Sequence, residues 1–295
     1  MKPYVVLFAT LLPFSGLQAQ RLTCPSGDHY KITKMKVYDQ AKLAAFYRLK
    51  FRTDSTRVDD YTQAQTVLMI SDRYVRFGDF NHIRLDSINN YLAANKKNRE
   101  NAQARAEWDT YIHLENYHTV TLTDLTKQET TVQLSSVLRG YEYTYPTPEI
   151  QWQRVAGDTV IQEMPCHKAT CSFSGRQYVA WYTEQIPLPY GPYLFGGLPG
   201  LIVELHDVGR NWNFSFESFG AMEHYRPMYL YHKSFLGKLM HLPREKALTA
   251  YRNDLENWDN LFIEEANVKV LTNGKWVTPE ANHPKRATNM LELVW

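Results

Sequence analysis

The feature that most constrains this chain is a stretch of prolines and glycines between Ile186 and Gly200. It holds four prolines and four glycines in fifteen residues. Proline fixes its own backbone angle and lacks an amide hydrogen, whereas glycine permits conformations and close approaches that other residues do not. The stretch therefore predicts a shaped turn, not a helix or a regular strand. We expect its structural residues to be Gly191, Pro192, Gly197, Pro199 and Gly200.

A glycine-rich turn could instead cradle a phosphate group with its backbone amides. That use needs a following helix and usually a Lys, Ser or Thr at the end of the turn. Here the apolar, strand-like run Leu201–Leu205 follows, and no basic residue lies between Ile186 and Gly200. The sequence therefore favours a structural turn that directs apolar side chains into the interior.

Most of the remaining chain alternates apolar and polar residues with the period of a β-strand. A hairpin is predicted between Ala169–Phe173 and Tyr178–Tyr182, and a second one between Ile150–Val155 and Asp158–Met164, with its turn at Ala156–Asp158. The pattern predicts a mainly β fold, that is, a β-rich α+β protein.

Two segments have helical spacing instead. Asn81–Trp108 is rich in Asn, Ala, Arg and Lys, and it predicts a surface helix or helix pair. Leu242–Trp258 begins with a proline and places Leu248, Tyr251, Leu255 and Trp258 on one face, which predicts a helix packed on the sheet. The stretch Gln40–Phe51 suits either a short helix or an irregular strand.

The first residues predict export. A short basic start, an apolar run and small or polar residues up to Ala19 are typical of a secretory signal peptide. The apolar run is too short to span a membrane, and no later window is long and apolar enough. We expect a signal peptide over residues 1–19 and one β-rich domain over residues 20–295, with a helical insertion near residues 81–108.

Charge and cysteine content narrow the classes of function. The chain has 33 Lys and Arg against 31 Asp and Glu, so no basic field favours nucleic acid. The three cysteines, Cys24, Cys166 and Cys171, fit an oxidising compartment, but one must stay unpaired. Their pairing stays open, because Cys166 and Cys171 would need a turn between them to bond.

No motif predicts catalysis, a metal or a cofactor. The spacing of the histidines gives no familiar zinc set, although a site assembled from distant positions stays open. Cys166 and His167 are neighbours, so on a strand they would point to opposite faces and could not form a thiolate–imidazole pair. No G-x-S-x-G nucleophile motif occurs in the sequence.

A set of short motifs runs through the region around the Pro/Gly turn. They are Cys166-x-Lys168-Ala169, Gly175-Arg176, Ala180-Trp181-Tyr182-Thr183, Ile186-Pro187, Gly191-Pro192 and the hexapeptide from Gly197 to Ile202. Together they resemble the GLPGLI family of exported bacterial proteins, over most of the mature chain. One departure is Tyr193-Leu194-Phe195, where the family usually has an aromatic-Lys-Phe step. The resemblance implies secretion in Bacteroidetes-type bacteria, often beside outer-membrane receptor systems, and no known chemistry.

The succession of strands also looks like the periplasmic lipoprotein-carrier architecture, a curved antiparallel sheet or half-barrel with a few covering helices. In that architecture the sheet encloses an apolar cavity, and function inferred from fold alone is analogy. We expect the cavity to be lined by Trp181, Tyr182, Phe195, Leu198, Leu201 and Ile202.

The sequence therefore predicts an exported envelope protein that binds an apolar or amphiphilic ligand, such as a lipid, or a partner protein at the outer membrane. Two alternatives stay open. One is a periplasmic hydrolase with dispersed catalytic residues, which a pocket rich in His and carboxylates would favour. The other is an accessory protein of an outer-membrane receptor system, which would present an exposed aromatic patch.

Overall fold

A computed structural model describes residues 30, 32–136, 139–232, 239–265, 270–272 and 275–294. The predicted signal peptide and Cys24 lie outside these residues. The strands are β1 (Met35–Gln40), β2 (Leu43–Phe51), β3 (Thr62–Ile70), β4 (Tyr74–Asp79), β5 (Thr119–Asp124), β6 (Glu129–Ser135), β7 (Gly140–Pro146), β8 (Gln153–Ile161), β9 (Met164–Phe173), β10 (Arg176–Thr183), β11 (Leu201–Asp207), β12 (Trp212–Ala221), β13 (Pro227–Tyr231), β14 (Leu239–His241), β15 (Val270–Thr272) and β16 (Lys275–Val277). The helices are α1 (Phe80–Ala94), α2 (Lys96–Arg99), α3 (Ala102–Leu114), α4 (Arg244–Glu256) and α5 (Trp258–Glu265).

Twelve strands form one large sheet in the order β14-β7-β6-β5-β4-β3-β2-β12-β11-β10-β9-β8. Only the short contact of β14 with β7 is parallel among these described strands. The sheet is open, with β14 and β8 at its two edges, and β1 pairs with β13 in a separate ribbon. The prediction of a mainly β fold with an antiparallel sheet and a few helices is confirmed.

Apolar side chains cover both faces of the sheet. In β2 the alternation is direct, because Tyr47 and Leu49 join one core cluster while Ala44 joins the cluster under α1. This buried alternation makes Leu43–Phe51 a strand, which settles the choice that the sequence left open. A third cluster lies between β7 and α4.

The helical segment predicted near residues 81–108 is the α1–α3 unit, which leaves the sheet after β4 and returns to β5. The side chain of Asp79 forms hydrogen bonds at both ends of the α1–α3 unit. One carboxylate oxygen accepts the amides of Asn81 (2.8 Å) and His82 (3.3 Å) and caps α1. The other accepts the amides of Asn116 and Tyr117, both at 3.0 Å. The strands β4 and β5 therefore stay paired neighbours across the excursion.

The predicted hairpin at Ala156–Asp158 is wrong. The strand β8 continues through these residues, and its register against β9 shifts between Val155 and Asp158, as at a β-bulge. The chain reverses later, at Gln162 and Glu163, which both have positive φ angles of 47° and 65°. A bulge and a turn can carry similar sequences, so the alternation alone did not separate them.

The Pro/Gly stretch connects β10 to β11. A Cβ atom at Gly200 would lie 2.0 Å from the carbonyl oxygen of Thr183, closer than any side chain could tolerate. An isolated bridge between Tyr190 and Gly196 closes the turn. Glycine is thus required at residue 200 because two backbone segments meet there.

Candidate functional site

A cleft of about 890 Å³ opens between the end of β2, the start of β12, the helices α4 and α5, and the segment from His283 to Glu292. Its wall combines aromatic rings with charged residues at the rim. The residues that line it include Phe51, Asp54, Arg57, Asp60, Tyr117, Tyr193, Trp212, Trp258, Asp259, Arg286 and Glu292.

The aromatic wall is assembled by the sheet. Trp212 and Phe51 are direct partners in the β2–β12 register, so their rings stack at 4.8 Å between centroids and 14° between planes. Tyr117, which precedes β5, meets both rings edge-on at 6.5 Å. All three are more than nine-tenths buried, at 5%, 4% and 6% exposed for Phe51, Tyr117 and Trp212. The indole Nε1 of Trp212 has no hydrogen-bond partner among the described residues.

The opposite wall comes from the helices. The four residues that helical spacing placed on one face, Leu248, Tyr251, Leu255 and Trp258, all line the cleft. Leu248 and Tyr251 also pack on β7. The guanidinium of Arg286 lies 4.4 Å over the Trp258 ring. The helical spacing predicted this face, but all four residues were expected to pack on the sheet.

The rim carries charges that are paired with one another. Arg57 contacts both Asp54 (3.5 Å) and Asp60 (3.4 Å). Arg286 holds Asp259 with two bonds of 2.6 and 2.5 Å, and this pair keeps the pKa of the Asp259 carboxyl below its ordinary value. The rim therefore presents dipolar ion pairs, with no strong net charge of either sign.

The floor holds a buried carboxylate. Glu292 is 2% exposed and accepts from the hydroxyl of Tyr193, the guanidinium of Arg244 and, at 3.2 Å, the hydroxyl of Ser174. Burial and the nearby Glu292 charge together hold the pKa of Tyr193 well above its ordinary value, so this hydroxyl stays a donor.

The six residues predicted to line a cavity come together, but in the packed core. Five of them, Tyr182, Phe195, Leu198, Leu201 and Ile202, are at most 3% exposed in one cluster. Trp181 packs against the outside of that cluster, with Lys168 5.6 Å over its ring. None of the six lines the cleft. Their role in ligand binding stays a prediction.

Sequence reasoning missed Phe51, Tyr117, Trp212 and Glu292. These residues are far apart in the chain, and no local motif joins them. The one available signal was a large aromatic residue beside a strand end, which also occurs in ordinary cores.

Within the described ranges, no three His, Cys, Asp or Glu side chains converge as metal ligands would. In the same residues, no helix has both the length and the apolar character needed to cross a membrane.

The fold and cleft define an open β-sheet protein with an aromatic, ion-paired cleft. A model of the family described as "Protein of unknown function (Porph_ging)" matches residues 141–204. That family is associated with Bacteroidetes and is consistent with the GLPGLI resemblance. No curated protein matches the sequence.

Crystal structures of PNGF-II in space groups P21 and C2 are similar to the chain, at 11% and 10% identity, and both have a TM-score of 0.45. Each comparison covers 72% of this chain, but only 34% and 32% of PNGF-II, so the chain spans about a third of those proteins' length.

Proposed function

We propose that this is an exported cell-envelope protein that binds an amphiphilic small molecule in the aromatic cleft, without transforming it. The observation that carries the proposal is the cleft itself. Its volume of about 890 Å³ lies within the roughly 300–1,000 Å³ typical of small-molecule sites. The signal-peptide pattern of residues 1–19 supports export.

The chemistry of the wall favours a ligand with one apolar and one polar part. The stacked Phe51 and Trp212 rings and the edge of Tyr117 offer a flat apolar surface. The indole N–H of Trp212 is buried behind that surface with no partner among the described residues, where an unpaired polar group is costly. The ion pairs at the rim suit a zwitterionic or polar head group.

The cleft lining contains two histidines, His118 and His283, and four carboxylates, but the pairing of these carboxylates argues against the hydrolase alternative. A general acid or base must be free to exchange a proton with the substrate. In this cleft Asp54 and Asp60 contact Arg57, Asp259 contacts Arg286, and Glu292 contacts Arg244. Each of these carboxylates is thus already engaged by an arginine.

Binding can be tested with 1-anilinonaphthalene-8-sulfonate, an amphiphilic aromatic anion, and the full-length mature protein. We compare Trp258→Ala, which removes a half-buried cleft residue, with Trp181→Ala, which removes a half-buried tryptophan near the Pro/Gly turn. We expect at least a fivefold weaker affinity for Trp258→Ala and an unchanged affinity for Trp181→Ala. A loss confined to Trp181→Ala would contradict the proposal and return the site to the six residues predicted from sequence.

Native mass spectrometry of protein purified from a bacterial envelope without detergent tests the natural ligand. An added mass that organic extraction releases as an amphiphile supports the proposal. A bare protein mass, together with no dye binding, would contradict it and favour a protein partner.

A further inference from the structure

The segment Asn289–Val294, which we name the docked segment, belongs to neither a helix nor a strand. Four of its residues, Asn289, Met290, Leu291 and Glu292, are at most 8% exposed. A segment buried this deeply must satisfy its backbone polar groups in some way other than a strand ladder.

Side chains of the sheet satisfy them. Arg176 donates to the carbonyls of Met290 (2.6 Å) and Leu291 (3.2 Å), and also to the side-chain oxygen of Asn289 (2.6 Å). The hydroxyl of Tyr178 adds a second bond of 3.2 Å to the Leu291 carbonyl. The segment bends at Leu291 and Leu293, and its carbonyls are held by side chains, so it resembles a bound peptide more than an added strand.

The turn before Arg176 is shaped to receive the same segment. Gly175 has a φ of +82°, and a Cβ atom there would lie 2.9 Å from Val294 Cγ2 and 3.2 Å from Leu293 Cβ. The carbonyl of Ser174 accepts the amide of Leu293 at 2.9 Å. The Gly175-Arg176 pair thus combines room for the segment with the donors that hold it.

A carboxylate pocket completes the site. Glu292 fills it, bonded to Tyr193, Arg244 and Ser174. The hydroxyls of Tyr143 and Tyr145 lie close by, where Tyr143 interacts with Tyr193 and Tyr145 with Arg244. Tyr143 is only 3% exposed. The pocket therefore surrounds Glu292 with donors, which suits an anion.

The residues that form the site are also held independently of the segment. The Arg176 guanidinium contacts Asp207 at 3.3 Å, and both side chains are buried. Asp207 is in turn fixed by the side chain of Asn211 and the amide of Trp212, both at 2.7 Å. Arg176 and Tyr178 lie in β10, and Tyr143, Tyr145, Gly175, Arg176 and Tyr193 fall within the family-matched residues 141–204.

We propose that Ser174–Arg176, Tyr178, Tyr193 and Arg244 form a binding site for a bent peptide with a carboxylate between apolar residues. The docked segment is its intramolecular ligand, and an acidic segment of a partner protein is its ligand in trans. This site adjoins the aromatic cleft, because Tyr193 and the docked segment also line that cleft.

The docked segment is tethered to its site, so it competes with an added peptide at an effective concentration on the order of millimolar. In the wild-type protein the docked segment should therefore occupy the site. The test therefore uses the full chain with Glu292→Gln, which keeps the shape but removes the charge. A second variant, Asn289→Ala, removes the side-chain contacts of Asn289 to Arg176, Arg52 and Asn211. The probe is the blocked hexapeptide Asn-Met-Leu-Glu-Leu-Val, compared with the same peptide carrying Gln in place of Glu. Calorimetry measures binding, and hydrogen exchange follows the docked segment.

We expect faster exchange of residues 289–294 in both variants and hexapeptide binding at least tenfold tighter than in wild type. The Gln peptide should bind at least tenfold more weakly than the Glu peptide, because hydrogen bonds to a charged group are the stronger ones. Adding Arg176→Lys to Glu292→Gln should weaken binding again, because lysine lacks the guanidinium fork.

Two results would overturn the inference. If residues 289–294 stay as protected in both variants as in wild type, the segment is a permanent part of the core. If exchange increases but neither peptide binds, or both bind equally, the site does not recognise an acidic peptide.

Discussion

Two aromatic regions of this protein differ in one physical respect. Beneath the Pro/Gly turn, Phe195 is in contact with Phe173 at 5.3 Å and with Tyr178 at 4.6 Å between ring centroids, and it is 1% exposed. In the cleft, Phe51, Tyr117 and Trp212 are also buried and in mutual contact, yet they face a space of about 890 Å³. The first region is filled and the second is open.

The difference comes from what each region is packed against. The turn between β10 and β11 folds back over its own sheet, so its side chains meet neighbours that are near in sequence. The cleft is enclosed by α4, α5 and the docked segment, which come from the last part of the chain. A space remains because the side chains of these separate elements do not fill the volume between them.

The largest expected effect separates the two regions by stability. Gly200→Val would place a side chain where its Cβ lies 2.0 Å from the Thr183 oxygen, so β10 and β11 could not both keep their positions. We expect a loss of more than about 4 kcal/mol in the free energy of unfolding. The control is Gly220→Ala, whose Cβ meets nothing within 4 Å. Urea unfolding of both variants measures the difference, and normal melting of Gly200→Val would disprove the structural role.

The second prediction compares one aromatic residue from each region. Phe195→Ala leaves a cavity in a filled core and should cost about 3–5 kcal/mol. Trp212→Phe keeps an aromatic ring against Phe51 and removes an N–H that has no partner, so it should cost under about 1.5 kcal/mol. The dye affinity of Trp212→Phe should fall. Phe195→Ala should keep the wild-type dye affinity under conditions where this variant is folded. Equal stability losses would show that the cleft wall is as tightly filled as the core.

A third prediction uses pH and concerns His82 on α1, which lies outside both aromatic regions. Burial opposes its charge, but Glu115 at 3.0 Å and Asp86 outweigh burial and raise the pKa of His82 to about 9. His118 at 2.9 Å from Glu115 and the Tyr231 ring stacked on His82 complete its surroundings.

The raised pKa of His82 determines how the stability of the protein changes with pH. A raised folded-state pKa stabilises the protein fully below the ordinary value of about 6.5, and the contribution is lost as pH rises through about 9. The loss is on the order of 3 kcal/mol. Unfolding free energies at pH 6 and pH 9.5 measure it, and His82→Gln should be flatter over that range. An equal slope in His82→Gln would assign the dependence to other groups.

Sequence patterns predicted the local elements of this structure but not the contacts between distant residues. The hairpin at Gly175, the helices after Asp79 and the Pro/Gly turn depend on neighbours within a few residues, so alternation and turn composition predict them. The bulge in β8 was missed because its residues also suit a turn. The cleft was missed because Phe51 and Trp212 meet only through the β2–β12 register, which no local pattern encodes.

The last prediction measures the filled region without altering stability. Burial raises the pKa of the Cys171 thiol to about 12, and Cys171 belongs to the core cluster beneath the Pro/Gly turn. Because only the thiolate reacts, a rise from the ordinary value of 9.0 lowers the reactive fraction at pH 8 about 1,000-fold. Maleimide labelling, quantified on the peptide that contains Cys171, should therefore be at least 1,000-fold slower in the native protein than in urea. Fast native labelling would mean that this region opens to solvent, and the contrast between a filled core and an open cleft would then no longer hold.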